Sequence, residues 1–404
     1  MKSPRRFCLI TTFYPPYAFG GDAILVQQLA HLLADEGHHV EVVHCRDSFD
    51  VLRRGSGKIA HKPHPKVLVH TLGSPLGPLS PFLTHATGRP LANLGRLKKI
   101  LEQGFDVIHY HNVSLIGGPG LLQMGEALKL YTSHEYWLHC PTHLLLKWGR
   151  EPCRTKDCAR CCLSQSRPPQ LWRYTSLLEK CCRHIDLFLY PTEFGRKMHE
   201  DAALPGPVEV LPNFVPDRHQ TSDERDGFLY VGRLEDEKGV KDLLPVFARL
   251  PEVHLTIIGK GTLAPTLTQA CESLPNVELM GYLSPDELPQ LMANSKAVLV
   301  PSKCYELLPL VILESFCQST PVVVSAMGEL PRIAQESGAG MVARTTQDWV
   351  EALSLLNNDT DLLASMSRRA REYYLRHNTP EIHVQTYLTM IEERFTQTAT
   401  LRRT

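Results

Sequence analysis

The chain has 404 residues, of which 43 are basic, 43 are acidic and 43% are hydrophobic. This is the composition of a globular protein long enough for two domains, and it excludes a disordered or low-complexity chain. No apolar run approaches the roughly 20 residues that span a bilayer. Because the apolar run at residues 7–13 is short and lacks a small-residue cleavage site, we expect a cytoplasmic protein.

The charges are distributed unevenly along the chain. Residues 1–206 hold 25 basic and 17 acidic residues, a net charge of +8, and the remaining 18 and 26 give −8. A basic N-terminal half favours contact with an anionic acceptor or peripheral contact with a membrane surface. Uneven surface charge without a function is the alternative. No basic helix carries interleaved aromatic residues, so nucleic acid is not an expected partner.

Strands and helices alternate through the first half. We expect helices at residues 23–36 and 118–127, and a long irregular connection at residues 73–90. Gly20 and Gly21 would let the backbone approach a ligand, although an ordinary tight turn is the alternative, and the G-x-G-x-x-G fingerprint is absent. The strands of this half are predicted at residues 6–13, 39–45, 66–72, 105–112, 128–135 and 188–191, the last of which closes the sheet.

The pattern starts again after a linker at residues 205–212. Helices without strands are expected at residues 360–376 and 381–397. Repeated alternation of strands and helices is typical of an α/β fold with parallel sheets, whose ligands bind at the carboxyl ends of the strands. The strands of the second half are predicted at residues 208–211, 227–231, 253–258, 277–280, 296–300 and 321–324.

Charged residues follow two strands of the second half. Glu306 lies in the loop after the strand at residues 296–300, and Glu314 lies about one turn into the next helix. The N–H groups at that helix N-terminus favour an anion such as a diphosphate. Arg233 and Lys238 follow an earlier strand and are suited to the same diphosphate, although a solvated pair of loop charges is the alternative.

The motifs around these residues resemble a known family. GRLEDEKGVKDLL, IIGKG and two glutamates eight residues apart are similar to the C-terminal domain of family-four glycosyltransferases. The GG loop, FDVIHYH, the histidine after LKLYTS, and PNFV extend the resemblance over nearly the whole chain. These are retaining enzymes with the GT-B fold, in which two Rossmann-like parallel-sheet domains face a central cleft. The resemblance implies transfer of a sugar from a nucleotide-diphosphate sugar to a glycan, lipid-linked or small-molecule acceptor, without a metal in catalysis.

The resemblance also assigns roles to residues by motif position. Arg233 and Lys238 would bind the diphosphate and stabilise the charge of the leaving group. Glu314 would hydrogen-bond the ribose hydroxyls, Glu306 would face the donor sugar, and His134 would lie under that sugar near the reacting centre. The glycines expected at the donor are Gly20, Gly21, Gly259 and Gly261.

The chain departs from the family pattern directly after Glu306. The family often has glycine there, and this chain has Leu307, Leu308 and Pro309. The backbone N–H groups of Leu307 and Leu308 could still donate to sugar hydroxyls, but leucine side chains would change the pocket. We expect this difference to affect which sugar is bound more than whether transfer occurs.

A cysteine-rich insertion at about residues 140–175 interrupts the α/β pattern. In a cytosolic protein such clustering favours a metal over disulfides, and four thiolates favour a structural, tetrahedral Zn²⁺. Free or redox-sensitive thiols and an iron–sulfur cluster are the alternatives, and His139 or His143 could replace a thiolate. The spacing is C-x12-C-x4-C-x2-C, and the expected ligands are Cys140, Cys153, Cys158 and Cys161.

These motifs predict an acceptor domain at residues 1–206, a nucleotide-sugar domain at residues 207–380 and a helix at residues 381–404 that crosses back to the first domain. Two other interpretations stay open. One is a non-hydrolysing nucleotide-sugar epimerase on the same fold, which would need acid/base carboxylates in the N-terminal domain. The other is a non-catalytic, zinc-stapled protein that binds sugar nucleotides.

Overall fold

The computed structural model describes residues 3–53, 62–222 and 224–401. They form two compact units. The first unit comprises the described residues up to Leu211 together with those from Val384 onward, and the second comprises Pro212–His383. Residues 402–404 of the predicted C-terminal segment lie outside the described residues.

The first unit is built on a parallel sheet. Its strands, in chain order, are β1 (Arg6–Ile10), β2 (His39–Cys45), β3 (Val67–Leu72), β4 (Val107–Tyr110), β5 (Leu128–Thr132), β6 (Leu146–Lys147), β7 (Glu151–Pro152), β8 (Leu187–Tyr190) and β9 (Val208–Val210). Seven of them form one sheet in the order β3-β2-β1-β4-β5-β8-β9, while β6 and β7 form an antiparallel hairpin. Residues of both faces of β1 are buried, as expected for a parallel sheet covered by helices.

Helices connect these strands. They are α1 (Gly21–Asp35), α2 (Arg46–Leu52), α3 (Leu79–Thr87), α4 (Leu94–Leu101), α5 (Cys158–Ser164), α6 (Leu177–Cys182) and α7 (Glu193–Asp201). Helix α1 forms because apolar residues recur on one face, where Leu25, Val26, Leu29 and Leu33 are buried. The Thr192 hydroxyl caps α7 by accepting a hydrogen bond from the Gly195 backbone N–H at 3.2 Å.

Two predictions about connections in this unit are wrong. The expected irregular stretch at residues 73–90 contains helix α3, which ends at Gly88 in the left-handed conformation. The helix expected at residues 118–127 is only a short 3₁₀ turn, Pro119–Gln123. A Cβ atom at Gly118 would lie 2.9 Å from the Gly88 carbonyl oxygen, so glycine allows the two backbones to pack closely and the turn to form there.

The predicted strand at residues 208–211 is also placed differently from the expectation. It forms β9, which pairs in parallel with β8 in the first sheet instead of opening the second half. The strand at residues 188–191 therefore does not close the sheet. The sequence reveals a strand here, but its hydrogen-bonding partner is set by tertiary structure.

The second unit repeats the architecture. Its strands are β10 (Phe228–Val231), β11 (Leu255–Ile258), β12 (Val277–Gly281), β13 (Ala297–Val300), β14 (Val322–Ser325) and β15 (Gly340–Ala343). Its helices are α8 (Leu244–Phe247), α9 (Ala264–Cys271), α10 (Leu288–Asn294), α11 (Leu310–Cys317), α12 (Leu330–Ser337), α13 (Thr346–Asn358) and α14 (Thr360–His377). The parallel sheet has the order β12-β11-β10-β13-β14-β15. Alternate residues of β10 enter two hydrophobic clusters, with Phe228 and Tyr230 in one and Leu229 in the other, so both faces are covered.

The last helix is α15 (Pro380–Leu401), which begins in the second unit and belongs to the first from Val384 onward. Within the first unit, Glu392 pairs with Arg5 at 2.7 Å and Arg394 pairs with Glu209 at 2.6 Å. The prediction of an α/β fold with two parallel-sheet domains is confirmed. Over the described ranges, no helix has both the length and the apolar character needed to cross a membrane.

Candidate functional site

The strand order of the second sheet reverses between β10 and β13, where α/β proteins bind ligands. The structure joins two predicted site residues there. Lys238 Nζ lies 2.5 Å from Glu306 Oε1, although the residues are 68 positions apart. The Ser302 hydroxyl donates to the same oxygen at 2.8 Å. The two charged side chains are only 23% and 15% exposed, so water screens the pair weakly.

Electrostatics keep both members of this pair charged. Burial alone would raise the pKa of Glu306, but Lys238 and the Ser302 hydroxyl outweigh it, and the pKa is lowered. Burial alone would lower the pKa of Lys238, but Glu306 outweighs it, and the pKa is raised. A diphosphate that reaches Lys238 therefore meets a cation already held in place by a carboxylate.

Arg233 lies in the loop that follows β10. Its Nη2 donates to Glu237 Oε1 at 3.0 Å, and its side chain is more than half exposed. The Tyr230 hydroxyl donates to the Arg233 carbonyl oxygen at 2.8 Å and fixes the loop. The Lys303 backbone N–H donates to the Glu237 carbonyl oxygen at 2.9 Å, which ties the Arg233 loop to the loop that carries Glu306.

Glycines bring the loops at these strand ends together. A side chain at Gly239, where φ is +73°, would overlap the Pro301 carbonyl oxygen. A side chain at Gly259 would overlap the backbone of Gly232, and one at Gly261 would overlap Leu234. The sequence predicted backbone near a ligand at Gly259 and Gly261, and the structure shows close packing of the GKG turn on the Arg233 loop.

The remaining predicted donor residues of the second unit lie on or before helix α11. Glu314 is partly buried, and burial raises the pKa of its carboxyl, with Arg218 acting in the opposite direction. The Leu307 side chain is 4% exposed, and Leu308 packs against a hydrophobic cluster of the second unit. A contact of Leu307 with a sugar would therefore come from its backbone N–H group, whereas the Leu308 side chain is only partly buried.

His134 lies just beyond the carboxyl end of β5 in the first unit. Its Nε2 is 2.9 Å from Nδ1 of His111, so one of these nitrogens donates and the other accepts. The neighbouring His109 ring lies between Thr132 Oγ1, at 2.7 Å, and the Tyr387 hydroxyl of α15, at 2.9 Å. His109 in β4 and His111 directly after it, with ring centroids 4.0 Å apart, thus position His134 and connect it to the last helix.

The glycine loop of the first unit carries a carboxyl group that the predictions omitted. Gly20 and Gly21 are exposed, with Gly20 at φ +77°, and helix α1 begins at Gly21. Burial raises the pKa of Asp22 to about 6, Glu135 adds to this effect, and a hydrogen bond from Asn112 opposes it. Two features of the sequence could have indicated this carboxyl group: the aspartate directly after GG, and the H-E pair that follows β5.

The predicted metal ligands form a cluster of free thiols in the first unit. Burial raises the pKa of Cys153, and the thiols of Cys140, Cys158 and Cys161 add to the effect, so the four lie within electrostatic reach of each other. Throughout the part of the chain that the structure describes, no three histidine, cysteine, aspartate or glutamate side chains are arranged to hold a metal ion. Zinc therefore stays a prediction.

Comparisons with known proteins agree with this architecture. The family model described as "Glycosyltransferase Family 4" matches residues 19–219, and the one described as "Glycosyl transferases group 1" matches residues 214–373. A glycogen synthase of Mycobacterium tuberculosis is 28% identical over 389 residues, covering 91% of this chain and 88% of that protein.

Solved structures share the fold. Sucrose-phosphate synthase from Thermosynechococcus elongatus superposes with a TM-score of 0.73 at 17% identity, covering 97% of this chain and 100% of that one. Anabaena HepE in complex with UDP-glucose superposes with a TM-score of 0.66 at 17% identity, covering 96% and 99%. The GT-B assignment is confirmed.

Proposed function

The chain belongs to the family-four glycosyltransferases, and from this membership we propose that it transfers a sugar from a nucleotide-diphosphate sugar to a glycan, lipid-linked or small-molecule acceptor. The proposal includes retention at the anomeric carbon and catalysis without a metal. The observation that carries it is the Lys238–Glu306 ion pair at the carboxyl ends of β10 and β13.

The second unit would bind the donor. Lys238 and Arg233 supply two cations for the diphosphate, and Glu314 supplies a carboxylate for the ribose hydroxyls. Hydrogen bonds donated by the ribose hydroxyls would offset the free-energy cost of burying the Glu314 carboxylate. The complex of HepE with UDP-glucose supports a nucleotide-sugar donor. It does not select the base for this chain, because identity is 17%.

The proposed reaction exchanges one bond at the anomeric carbon for another. The bond to the diphosphate oxygen breaks, the acceptor hydroxyl oxygen bonds on the same face, and the acceptor proton passes to the departing diphosphate. Negative charge develops on the leaving group, and Lys238 offsets it without reorganisation because Glu306 already holds the ammonium in place. Such fixed charges act more strongly in a water-poor site than in bulk water.

The first unit would bind the acceptor. His134 is held by His111 at 2.9 Å, and Asp22, in the first turn of α1, supplies a carboxyl group whose pKa burial raises to about 6. Asp22 follows the glycine loop and His134 follows the end of a strand, and a sugar hydroxyl could approach either position.

Peripheral contact with an anionic membrane surface, on the cytoplasmic face, completes the proposal. Leu79 and Phe82 of α3 are 58% and 51% exposed, and Arg96, Lys98 and Lys99 of α4 are exposed basic residues. Exposed apolar and basic side chains together favour such a surface. Co-sedimentation should be stronger with vesicles containing anionic lipid than with neutral vesicles, and equal binding to both would contradict this part.

The transfer activity is tested by incubating the protein with UDP, GDP, ADP and dTDP sugars and measuring thermal stabilisation and products. At least one donor should raise the unfolding temperature and yield a glycosylated acceptor. The Glu306→Gln variant should lose transfer by about a hundredfold. Glu272→Gln, a change at an exposed glutamate of the same unit, should keep it.

Three results would overturn the proposal. Isomerisation of the donor sugar without an acceptor would identify an epimerase. Binding of a sugar nucleotide with no turnover against glycan, lipid-linked and small-molecule acceptors would favour the non-catalytic interpretation. Full activity of Glu306→Gln would refute the transfer mechanism that depends on the Lys238–Glu306 pair.

A further inference from the structure

The cysteine segment, residues 140–162, brings its thiols together from three pieces of backbone. Cys140 lies in the turn after Tyr136, and Cys153 directly follows the β6–β7 hairpin. Helix α5 carries Cys158 and Cys161, whose i, i+3 spacing places both on one face. The Cys153 backbone N–H donates to the Leu145 carbonyl oxygen at 2.8 Å, so the hairpin is closed at this cysteine.

Cys161 accepts two hydrogen bonds at its sulfur. The Trp148 backbone N–H donates to its Sγ at 3.3 Å, and Gln165 Nε2 donates at 3.3 Å. The Cys161 thiol also lies 3.8 Å from the Leu146 carbonyl oxygen, so these contacts place its sulfur against the β6–β7 hairpin, which Cys153 directly follows. The partly buried Arg173 guanidinium also interacts electrostatically with Cys140 and Cys158. Four thiolates around a divalent cation carry two net negative charges, which such an arginine would partly offset.

The β6–β7 hairpin and the turn before it contain residues in an unfavourable backbone conformation. His143, Leu145 and Trp148 adopt positive φ values of 73°, 54° and 57°. Each non-glycine residue in this region costs about 1 kcal/mol or more. The described secondary structure of the segment is limited to two strands of two residues each and the helix α5. Strained conformations persist where the surroundings enforce them, and this loop-rich segment needs such a constraint.

We propose that Cys140, Cys153, Cys158 and Cys161 bind one Zn²⁺ in tetrahedral geometry. The thiols are clustered but not yet arranged around one point, so the ion would draw the four sulfurs together on binding. Cys162 also interacts electrostatically with Cys140, Cys158 and Cys161, but its position next to Cys161 on α5 turns its side chain about 100° away around the helix, and it is not assigned as a ligand.

The zinc site has a consequence for activity, which rests on the proposed function. The Cys140 backbone N–H donates to the Tyr136 carbonyl oxygen at 2.8 Å, and Tyr136 N–H donates to the His143 carbonyl oxygen at 3.3 Å. His143 Nδ1 contacts Glu135 at 2.6 Å. The metal would therefore fix the turn that begins at His134 and Glu135, although it would touch no substrate.

The test is elemental analysis of the full-length protein, purified without added metal. We expect one zinc per chain in the wild type and its loss in Cys153→Ser and Cys158→Ser. The control Cys271→Ser changes a partly exposed cysteine of the second unit and should retain one zinc. Because the wild-type measurement needs no variant, misfolding of a variant cannot obscure the result.

Three results would overturn the zinc proposal. They are the absence of metal with all thiols free, disulfides within the segment detected by mass spectrometry, and iron accompanied by the visible absorption of an iron–sulfur cluster.

The zinc proposal and the proposed function can be refuted independently of each other. Zinc without any transfer activity would retain the site and refute the function. With both present, Cys158→Ser should lower transfer about tenfold, as for lost supporting contacts of a metal site, while its affinity for the nucleotide stays unchanged. Unchanged transfer in a zinc-free variant would refute the positioning role and keep the metal.

Discussion

Replacing Lys238 with methionine tests how the ion pair of the second unit is held together. In the wild type, Glu306 Oε1 accepts from Lys238 Nζ at 2.5 Å and from the Ser302 hydroxyl at 2.8 Å. The Lys238→Met variant keeps the hydroxyl but loses the ammonium group, and the carboxylate stays in a site where its side chain is 15% exposed. We therefore expect a loss of stability and a reversed dependence of stability on pH.

The magnitude follows from the geometry. Removing one partner of a fully buried pair costs roughly 3–5 kcal/mol, and partial exposure of both side chains reduces this to about 2 kcal/mol. In the wild type, the lowered pKa of Glu306 means that the pair stabilises the fold above the carboxyl's unfolded pKa, and this contribution is lost as pH falls through the folded pKa. Without Lys238, burial dominates and raises the pKa of Glu306. The variant should then become relatively more stable as pH falls, because protonation removes the buried charge.

Urea unfolding at two pH values measures this effect, with hydrogen exchange of β13 reporting the second unit separately. The double variant Lys238→Met/Glu306→Gln should recover at least half of the lost stability at neutral pH, since the buried charge is gone, but it should not recover transfer. The explanation is refuted if Lys238→Met unfolds within about 0.5 kcal/mol of the wild type, the range of ordinary surface changes. It is also refuted if the double variant is no more stable than the single one.

Three further predictions concern single residues. Glu314→Gln should stabilise the ligand-free protein at neutral pH, because burial raises the pKa of the Glu314 carboxyl and the stability of the wild type therefore falls as pH rises through that pKa. The affinity of the variant for the nucleotide, measured by calorimetry, should drop about tenfold. A less stable variant with unchanged affinity would contradict the role assigned to Glu314. His111→Ala should lower kcat for transfer more than His111→Asn, whose amide can replace the ring nitrogen facing His134, and equal rates would show that this contact is only structural. Gly239→Ala should destabilise the protein by about 2 kcal/mol or more in thermal unfolding, since its positive φ and the Pro301 carbonyl leave no room for Cβ; an unchanged midpoint would show that the loop can shift.

The α/β architecture of both units could be predicted from the sequence alone. Hydrophobic runs identified β1 and β13 because local burial leaves a periodic record along the chain. The sequence also placed Arg233, Lys238 and Glu306 in loops that follow strands. In a parallel sheet, the loops after the strands lie together at one edge. The prediction that these charges lie near each other needed only the topology.

Tertiary structure decided which groups touch. The Lys238–Glu306 bond and the His111–His134 pair join residues whose separation in sequence carries no distance information. Helix α3 was hidden because proline and glycine near its ends signal a loop, although tertiary contacts stabilise a helix between them. The strand that pairs with β9 could not be predicted from the sequence either. The residues of a strand favour its extended conformation, but its neighbouring strand depends on which edge of a sheet remains to be covered.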